Sequence, residues 1–287
     1  MNTHGEDMTI TLREKAEYLG KLHYGPRILI LPNAWDIATA RIVEEAGFPV
    51  IATSSAGIAA SLGYPDGQHI TRTEMLGVVA RIVRAVRIPV TADMEGGYGL
   101  TPGEMAETAK AVIDAGAVGL NIEDTIGHEE DCQVNISLQV RKLHAIREAA
   151  ASKGVPLVLN ARTDIYLLGI GDPATRFERT VERLRAYRDA GADCLFAPGI
   201  RDSQTIEKLV AALRAPLNIL GGPGSPSVPE LERLGVARLS VGSGIFRAAL
   251  TKVRDAAKEL LEAGTYNALD HSISHADVNS LLGRGLN

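Results

Sequence analysis

Two cysteines in 287 residues, Cys132 and Cys194, are too few and too far apart for a disulfide framework or a paired-thiolate zinc site. A reducing cytosol fits that count, so the cytoplasm is the expected compartment. Aromatic side chains are also sparse, twelve against 29 glycines, which disfavours the stacking platforms used on single-stranded nucleic acid. There is no basic excess: 30 Lys and Arg face 35 Asp and Glu, a formal charge of -5. Nucleic acid is therefore not expected as a partner. No run of ~18 apolar residues occurs. Residues 1–18 carry Glu6, Asp7, Arg13, Glu14 and Lys15 where a secretory signal would be apolar, so neither a leader nor a membrane span is expected. A Gly-x-Gly-x-x-Gly turn is missing after the first apolar run, which argues against dinucleotide binding.

What is present is a rhythm. Eight short apolar runs rich in β-branched residues occupy 27–32, 49–53, 89–93, 118–123, 156–161, 193–197, 216–220 and 237–241. Between them, segments such as 106–115, 138–151 and 176–190 have the spacing of amphipathic helices, and glycines at 47, 116, 154, 191 and 235 mark helix ends. Near-continuous apolar strands imply burial on both faces, and alternating β and α units imply a parallel sheet with right-handed crossovers. The fold expected is α/β, a (β/α)8 TIM barrel forming a single domain over 1–287. A helical extension from about residue 251 would be an added helix or an oligomer contact. An open doubly wound sheet is the alternative.

In such a barrel the chemistry lies at the C-terminal ends of the strands. The second run leads into Ser54, Ser55, Ala56 and Gly57; the third ends in Asp93, Met94 and Glu95 followed by two glycines; the fourth ends in Glu123 and Asp124; the fifth leads into Asn160, Arg162 and Asp164. Asp93, Glu95 and Glu123 with Arg162 nearby form a hard oxygen set suited to Mg²⁺ or Mn²⁺. In a continuing strand Asp93 and Glu95 would face one side, and Gly96 and Gly97 would leave room for substrate. A solvated acidic turn is the plainer alternative. Ser54 and Ser55 offer hydroxyls and N–H groups to a carboxylate or phosphoryl oxygen, or serve only as a helix cap. Asp36 is expected to cap a helix, Cys194 to lie in the core, and the charged run 176–188 to be a solvated helical face. Gly221, Gly222, Pro223 and Gly224 look like a phosphate-holding turn from which Pro223 removes a donor.

Together these residues resemble the isocitrate lyase and phosphoenolpyruvate mutase superfamily. The resemblance rests on Pro32–Asp36, Thr53–Ala60, Gly63–Asp66, Ala92–Gly99, Asn121–Asp124, Asn160–Asp164 and Ala192–Phe196. It implies an Mg²⁺-dependent barrel that exchanges helices between subunits as a dimer of dimers and acts on α-oxo or α-hydroxy carboxylic acids. Asp93 resembles the direct metal ligand, while Glu95 and Glu123 resemble acids that hold metal-bound water. Arg162 resembles the arginine on substrate oxygens, Ser54, Ser55 and Ala56 the carboxylate-binding turn, and Asp66 an acid near the active site; Asn160 is placed with the substrate. The implied reaction is C–C cleavage through a metal-stabilised enolate. C–P chemistry on phosphonopyruvate, or oxo-acid binding without catalysis, are the alternatives. The family motif has Asp where this chain has Glu95.

The segment after Glu123 departs further. In the lyases resembled it carries Lys, Lys or Arg, Cys, Gly and His, whereas here residues 124–133 place Glu129, Glu130 and Asp131 before Cys132 and Gln133 after it. Acidic neighbours raise a thiol pKa. Cys132 is thus weakened as a catalytic acid, and His128 remains a second acid or base candidate. The segment also lacks the Lys-x-Asn pattern associated with phosphonopyruvate processing.

Overall fold

Pro32 splits the first strand of the sheet. In the computed structural model, which describes residues 10–127 and 133–283, the strands are β1 (Leu29–Leu31), β2 (Asn33–Ala34), β3 (Ile51–Thr53), β4 (Val90–Asp93), β5 (Gly119–Glu123), β6 (Val158–Arg162), β7 (Cys194–Phe196), β8 (Leu217–Leu220) and β9 (Arg238–Ser240). Every pairing is parallel, in the order β1-β9-β8-β7-β6-β5-β4-β3-β2. Because β1 and β2 are consecutive across Pro32, the two ends of that order meet in the chain itself and the sheet closes. Proline cannot donate to a ladder, so the break falls where a donor is lost. The eight expected strands are therefore eight staves, the first in two pieces. The (β/α)8 barrel holds.

The helices are α1 (Leu12–Leu22), α2 (Ile37–Glu45), α3 (Ser55–Ser61), α4 (Arg72–Ala85), α5 (Pro102–Asp114), α6 (Ile136–Ser152), α7 (Arg176–Asp189), α8 (Ser203–Leu213), α9 (Val228–Arg233), α10 (Gly244–Glu262) and α11 (His275–Gly283). Local chemistry sets many of their starts. Thr11 with Glu14, Thr71 with Glu74, and Thr101 with Glu104 form reciprocal capping boxes. Asp36 caps α2 as expected, accepting from the Thr39 N–H. Pro102 at the first position of α5 starts that helix four residues before the expected 106. Gly116 follows the end of α5 at φ +89, where an added Cβ would lie 2.7 Å from Val83.

The main hydrophobic core runs around the outside of the barrel and under its helices, and a smaller cluster packs Val43 of α2 and Ile82 of α4 on Ile51 and Val90. Helix α1 lies across the base. Its Leu19 is fully buried and packs where Gly119 opens β5; a Cβ there would come within 2.9 Å of Leu19 and 2.5 Å of Thr91. Trp35 meets Phe246 edge to face at 5.2 Å, tying the start of α10 to the first stave. Beyond Phe246, α10 buries nothing else, while α11 folds back on α2. Residue 251 falls inside the continuous helix α10. No helix among the described residues is long and apolar enough to cross a membrane.

The charged run on α7 differs from expectation. Arg183 points inward, only 9% exposed, and its guanidinium donates to Asp124 at 3.0 Å and to the Val134 carbonyl at 2.8 Å. Arg185 and Arg188 donate to the carbonyls of Ala212 and Leu213 at the end of α8. A helix rich in arginine here clamps neighbouring loops because each guanidinium carries several donors on a long apolar stem.

Candidate active site

Strand β4 ends at Asp93, and the carboxylate is fixed from two sides. The Ser55 N–H (3.1 Å) and hydroxyl (2.7 Å) donate to Oδ2, and the Asn121 amide donates to Oδ1 at 2.8 Å. Asn121 is itself oriented by Asn160, whose amide donates to it at 2.8 Å. The Asp93 N–H donates to the Thr53 hydroxyl at 2.9 Å. Charge-assisted bonds of this kind hold the carboxylate rigidly; both lone pairs of Oδ2 are taken, and Oδ1 keeps one open. Ser54 caps α3 by accepting from the Gly57 N–H, and its own N–H goes to the Ala34 carbonyl. Among the described residues this leaves the Ala56 N–H as the open donor of that turn, at a helix N-terminus that favours an anion.

Glu95 does not continue the strand. Its φ of +51 turns it into the left-handed region, and the buried carboxylate accepts from the Tyr98 hydroxyl at 3.1 Å. Burial first, then the charges of Asp93 and Asp66, push its pKa up to about 7. Its second oxygen, Oε2, is buried with no partner. The glycines that follow serve packing and do not open space for substrate: a Cβ on Gly96 would lie 2.6 Å from the Thr125 carbonyl, and one on Gly97 2.3 Å from Met105. The fully buried Lys142 secures the same turn by donating to the Gly96 carbonyl at 3.2 Å.

Arg162 closes β6, one residue beyond the expected end of that strand. It pairs with Glu123 at 2.8 Å and Asp164 at 2.5 Å, and lies 5.8 Å from the centre of the Phe196 ring. Burial opposes its charge, but Asp164 and Glu123 outweigh burial and raise its pKa. Burial raises Glu123 well above the ordinary carboxylate range, against the pull of Arg162 and with help from Asp164, Asp93 and Glu95. Asp164 is held by the Thr125 hydroxyl at 2.7 Å and donates its N–H to Asp124 at 3.2 Å. Asp124 is wholly buried, with Arg183 at 3.0 Å and the Tyr187 hydroxyl at 2.7 Å. Two sets of ion pairs, joined by the Asp164 N–H, thus link α7 to the strand ends.

These groups border a cavity of about 420 Å³, a size ordinary for small-ligand sites. Ser54, Ser55, Ala56, Asp66, Asp93, Asn160 and Arg162 all line it, so the strand-end residues converge as expected. Glu95 and Glu123 stand behind that lining. His128 and Cys132 lie outside the described residues. The Gly221–Gly224 turn is not part of the wall, which takes Leu220 and then passes to Gly242, Ser243 and Arg247. Sequence reasoning missed Asn33, Asn218, Arg238 and Ser240, which line the interior. Two-residue alternation along β8 and β9 would have placed Asn218 with Leu220 and Arg238 with Ser240 on one face, had the inward face been known.

Four carboxylates gather here, Asp93, Glu95, Glu123 and Asp164, and Arg162 forms ion pairs with only two of them, Glu123 and Asp164. That surplus of negative charge, with a buried unpartnered oxygen on Glu95, fits a hard cation. Among the described residues no three His, Cys, Asp or Glu side chains form a ready ligand cluster. The set accordingly suits an ion that keeps most of its water, as Mg²⁺ does.

Comparison with known proteins agrees with this layout. The phosphoenolpyruvate phosphomutase family model matches residues 19–261. An oxaloacetate decarboxylase of Rhodopseudomonas palustris (strain BisB18) is 31% identical over 87% of this chain and 86% of that protein. A Burkholderia cenocepacia J2315 crystal structure with only a provisional lyase/mutase name superposes with TM-score 0.90, at 40% identity over 96% of this chain and 98% of the other. A crystal structure of oxaloacetate acetylhydrolase with 3,3-difluorooxalacetate gives TM-score 0.83 at 28% identity, covering 94% of this chain and 93% of that one. A barrel whose acids gather at the strand ends, matched over most of its length, belongs to the phosphoenolpyruvate phosphomutase family, among the lyases and mutases of the isocitrate lyase and phosphoenolpyruvate mutase superfamily.

Proposed function

We propose that this enzyme is a metal-dependent lyase that cleaves a C–C bond of an α-oxo or α-hydroxy dicarboxylic acid, decarboxylation included. The observation that carries this reading is the fixed Asp93 carboxylate lining one cavity with Arg162, with the open Ala56 N–H beside it. Asp93 would hold the metal directly, and Glu95 and Glu123 would steady its water. Bound there, a divalent ion supplies Lewis-acid stabilisation of oxygen charge.

The chain's own residues do the rest. The α3 turn at Ser54–Ala56 receives a substrate carboxylate at the helix N-terminus. Arg162, held on two sides by Glu123 and Asp164, keeps its guanidinium on the oxygen that gains charge as the bond breaks. Phe196, Leu167 and Leu168 supply the apolar wall that limits water. Oxaloacetate is named as the substrate of the decarboxylase and acetylhydrolase relatives, which favours carbon chemistry on a four-carbon oxo dicarboxylate. Carbon-13 NMR of the protein with Mg²⁺ and a panel of oxaloacetate, alkylmalates and methylisocitrate is expected to show C–C cleavage products that EDTA suppresses. Turnover of phosphonopyruvate alone, seen by phosphorus NMR, would overturn the reading.

A further inference from the structure

Arg238 opens β9 at the inner wall of the barrel, and it is anomalous. It is 2% exposed, lines the cavity, and its Nε and Nη1 have no hydrogen-bond partner among the described residues. No described carboxylate forms an ion pair with it; the charge of Asp93 reaches it only at longer range. An unpaired buried guanidinium is costly, so a chain that keeps one there needs a reason in its ligand. Two further groups on the same wall are open. The Ser240 hydroxyl donates to Asn218 Oδ1 at 3.3 Å, which turns the Asn218 amide so that its buried Nδ2 is left without an acceptor. Thr91 Oγ1 is buried and unpartnered as well. Among the described residues, Asn160 Oδ1 is the other buried side-chain atom of this lining without a partner, and it is an acceptor. A cationic, donor-rich pocket in low dielectric selects an anion with several acceptor oxygens.

Depth separates this pocket from the strand-end site. Arg238 is two residues before Ser240 on β9, roughly 7 Å deeper at the usual strand rise, whereas Asp93 is the last residue of β4. We infer that Arg238 and Asn218 form a second anion subsite inside the barrel, which takes the carboxylate of the substrate remote from the one held at Ser54–Ala56. The subsite makes the enzyme selective for dicarboxylates. This inference rests on the functional reading above and adds to it the residue that sets substrate class.

Calorimetric binding separates the two. The probes are 3,3-difluorooxaloacetate, 2-oxoglutarate and 2-oxoadipate, each paired with the oxo monocarboxylate of equal chain length and titrated at fixed metal and buffer anion. Wild type is expected to bind at least one dicarboxylate ~30-fold or more tighter than its monocarboxylate partner. Arg238→Met removes that preference while monocarboxylate binding stays, and Arg238→Lys restores part of it. Asn218→Asp, which gives Arg238 an internal carboxylate, removes the preference too and decides the matter if Arg238→Met does not fold. Equal binding of both classes by wild type, or preference intact in Asn218→Asp or Arg238→Met, overturns the subsite. A preference unchanged by Asn218→Asp, together with phosphate-dependent thermal stabilisation of wild type, identifies a resident inorganic anion and also overturns it. If wild type binds none of the acids, the functional reading itself fails.

Discussion

Replacing Arg183 by Met removes the cation that faces Asp124 while keeping the apolar stem on α7. The consequence follows from the burial of the partner: Asp124 is 0% exposed and receives the Arg183 guanidinium at 3.0 Å and the Tyr187 hydroxyl at 2.7 Å. Breaking a buried pair from one side leaves an uncompensated charge and costs about 3–5 kcal/mol. By contrast, Lys153→Met removes the exposed pair with Asp114 and should cost under ~1 kcal/mol. The Arg183 loss has a defined pH dependence. Burial already raises the Asp124 pKa, with Arg183 opposing it. Without Arg183 the folded-state pKa rises further above its unfolded value. The penalty is then largest at pH 8, where the lone carboxylate must stay charged, and shrinks as falling pH protonates it. Urea unfolding of wild type, Arg183→Met and Arg183→Met/Asp124→Asn at equal protein concentration reads this directly. The double variant is expected to be more stable than Arg183→Met alone at pH 8. A loss below ~1 kcal/mol, or an equal loss at pH 8 and pH 5.5, would show that Arg183 does not neutralise a buried Asp124 charge.

Two other outcomes are expected. His23 is buried, with Nδ1 2.9 Å from the Leu19 carbonyl, and burial followed by the Arg238 charge lowers its pKa to about 4. The unfolded chain binds the proton first, so this stability is present above pH ~6.5 and is lost as pH falls toward 4, by ~2–3 kcal/mol at pH 4.5; His23→Asn should show a flatter stability profile between pH 7.5 and 4.5, and parallel profiles would contradict the assignment. Helix α10 leaves Leu250, Val253 and Leu261 exposed at 51%, 65% and 88%, a face expected to be covered by a second copy of the chain. Val253→Asp with Leu261→Asp should lower the mass seen by light scattering, whereas an unchanged mass or a monomeric wild type would count against that oligomer.

Much of this was legible in the sequence for identifiable reasons. Strands such as Ile51–Thr53 and Gly119–Glu123 announce themselves by short apolar runs, and the barrel rule then directs attention to the residues that follow them. That is how Asp93, Ser55, Asn160 and Arg162 were found. Arg238 was not, because a charged residue within a three-residue strand carries no mark of which face it occupies. Arg183 was hidden among five arginines on one helix, where only the position of Asp124, 59 residues away, separates an inward guanidinium from a solvated one. The turn at Glu95 was misjudged because alternation was extended past the true end of β4, where Lys142, Met105 and the Thr125 carbonyl shape the backbone. Local signals marked the elements, while contacts distant in sequence decided side-chain orientation.

The Asp93 carboxylate, fixed by Ser55 and Asn121, is the group on which the proposed C–C cleavage depends. The direct measurement is the rate of oxaloacetate cleavage by wild type and Asp93→Ala across a magnesium titration, with circular dichroism confirming that both are folded. Wild type is expected to show saturable magnesium dependence, and Asp93→Ala a loss of ~10²–10³-fold or more that no magnesium concentration restores. Magnesium-dependent cleavage by Asp93→Ala at the wild-type rate would contradict this dependence on Asp93.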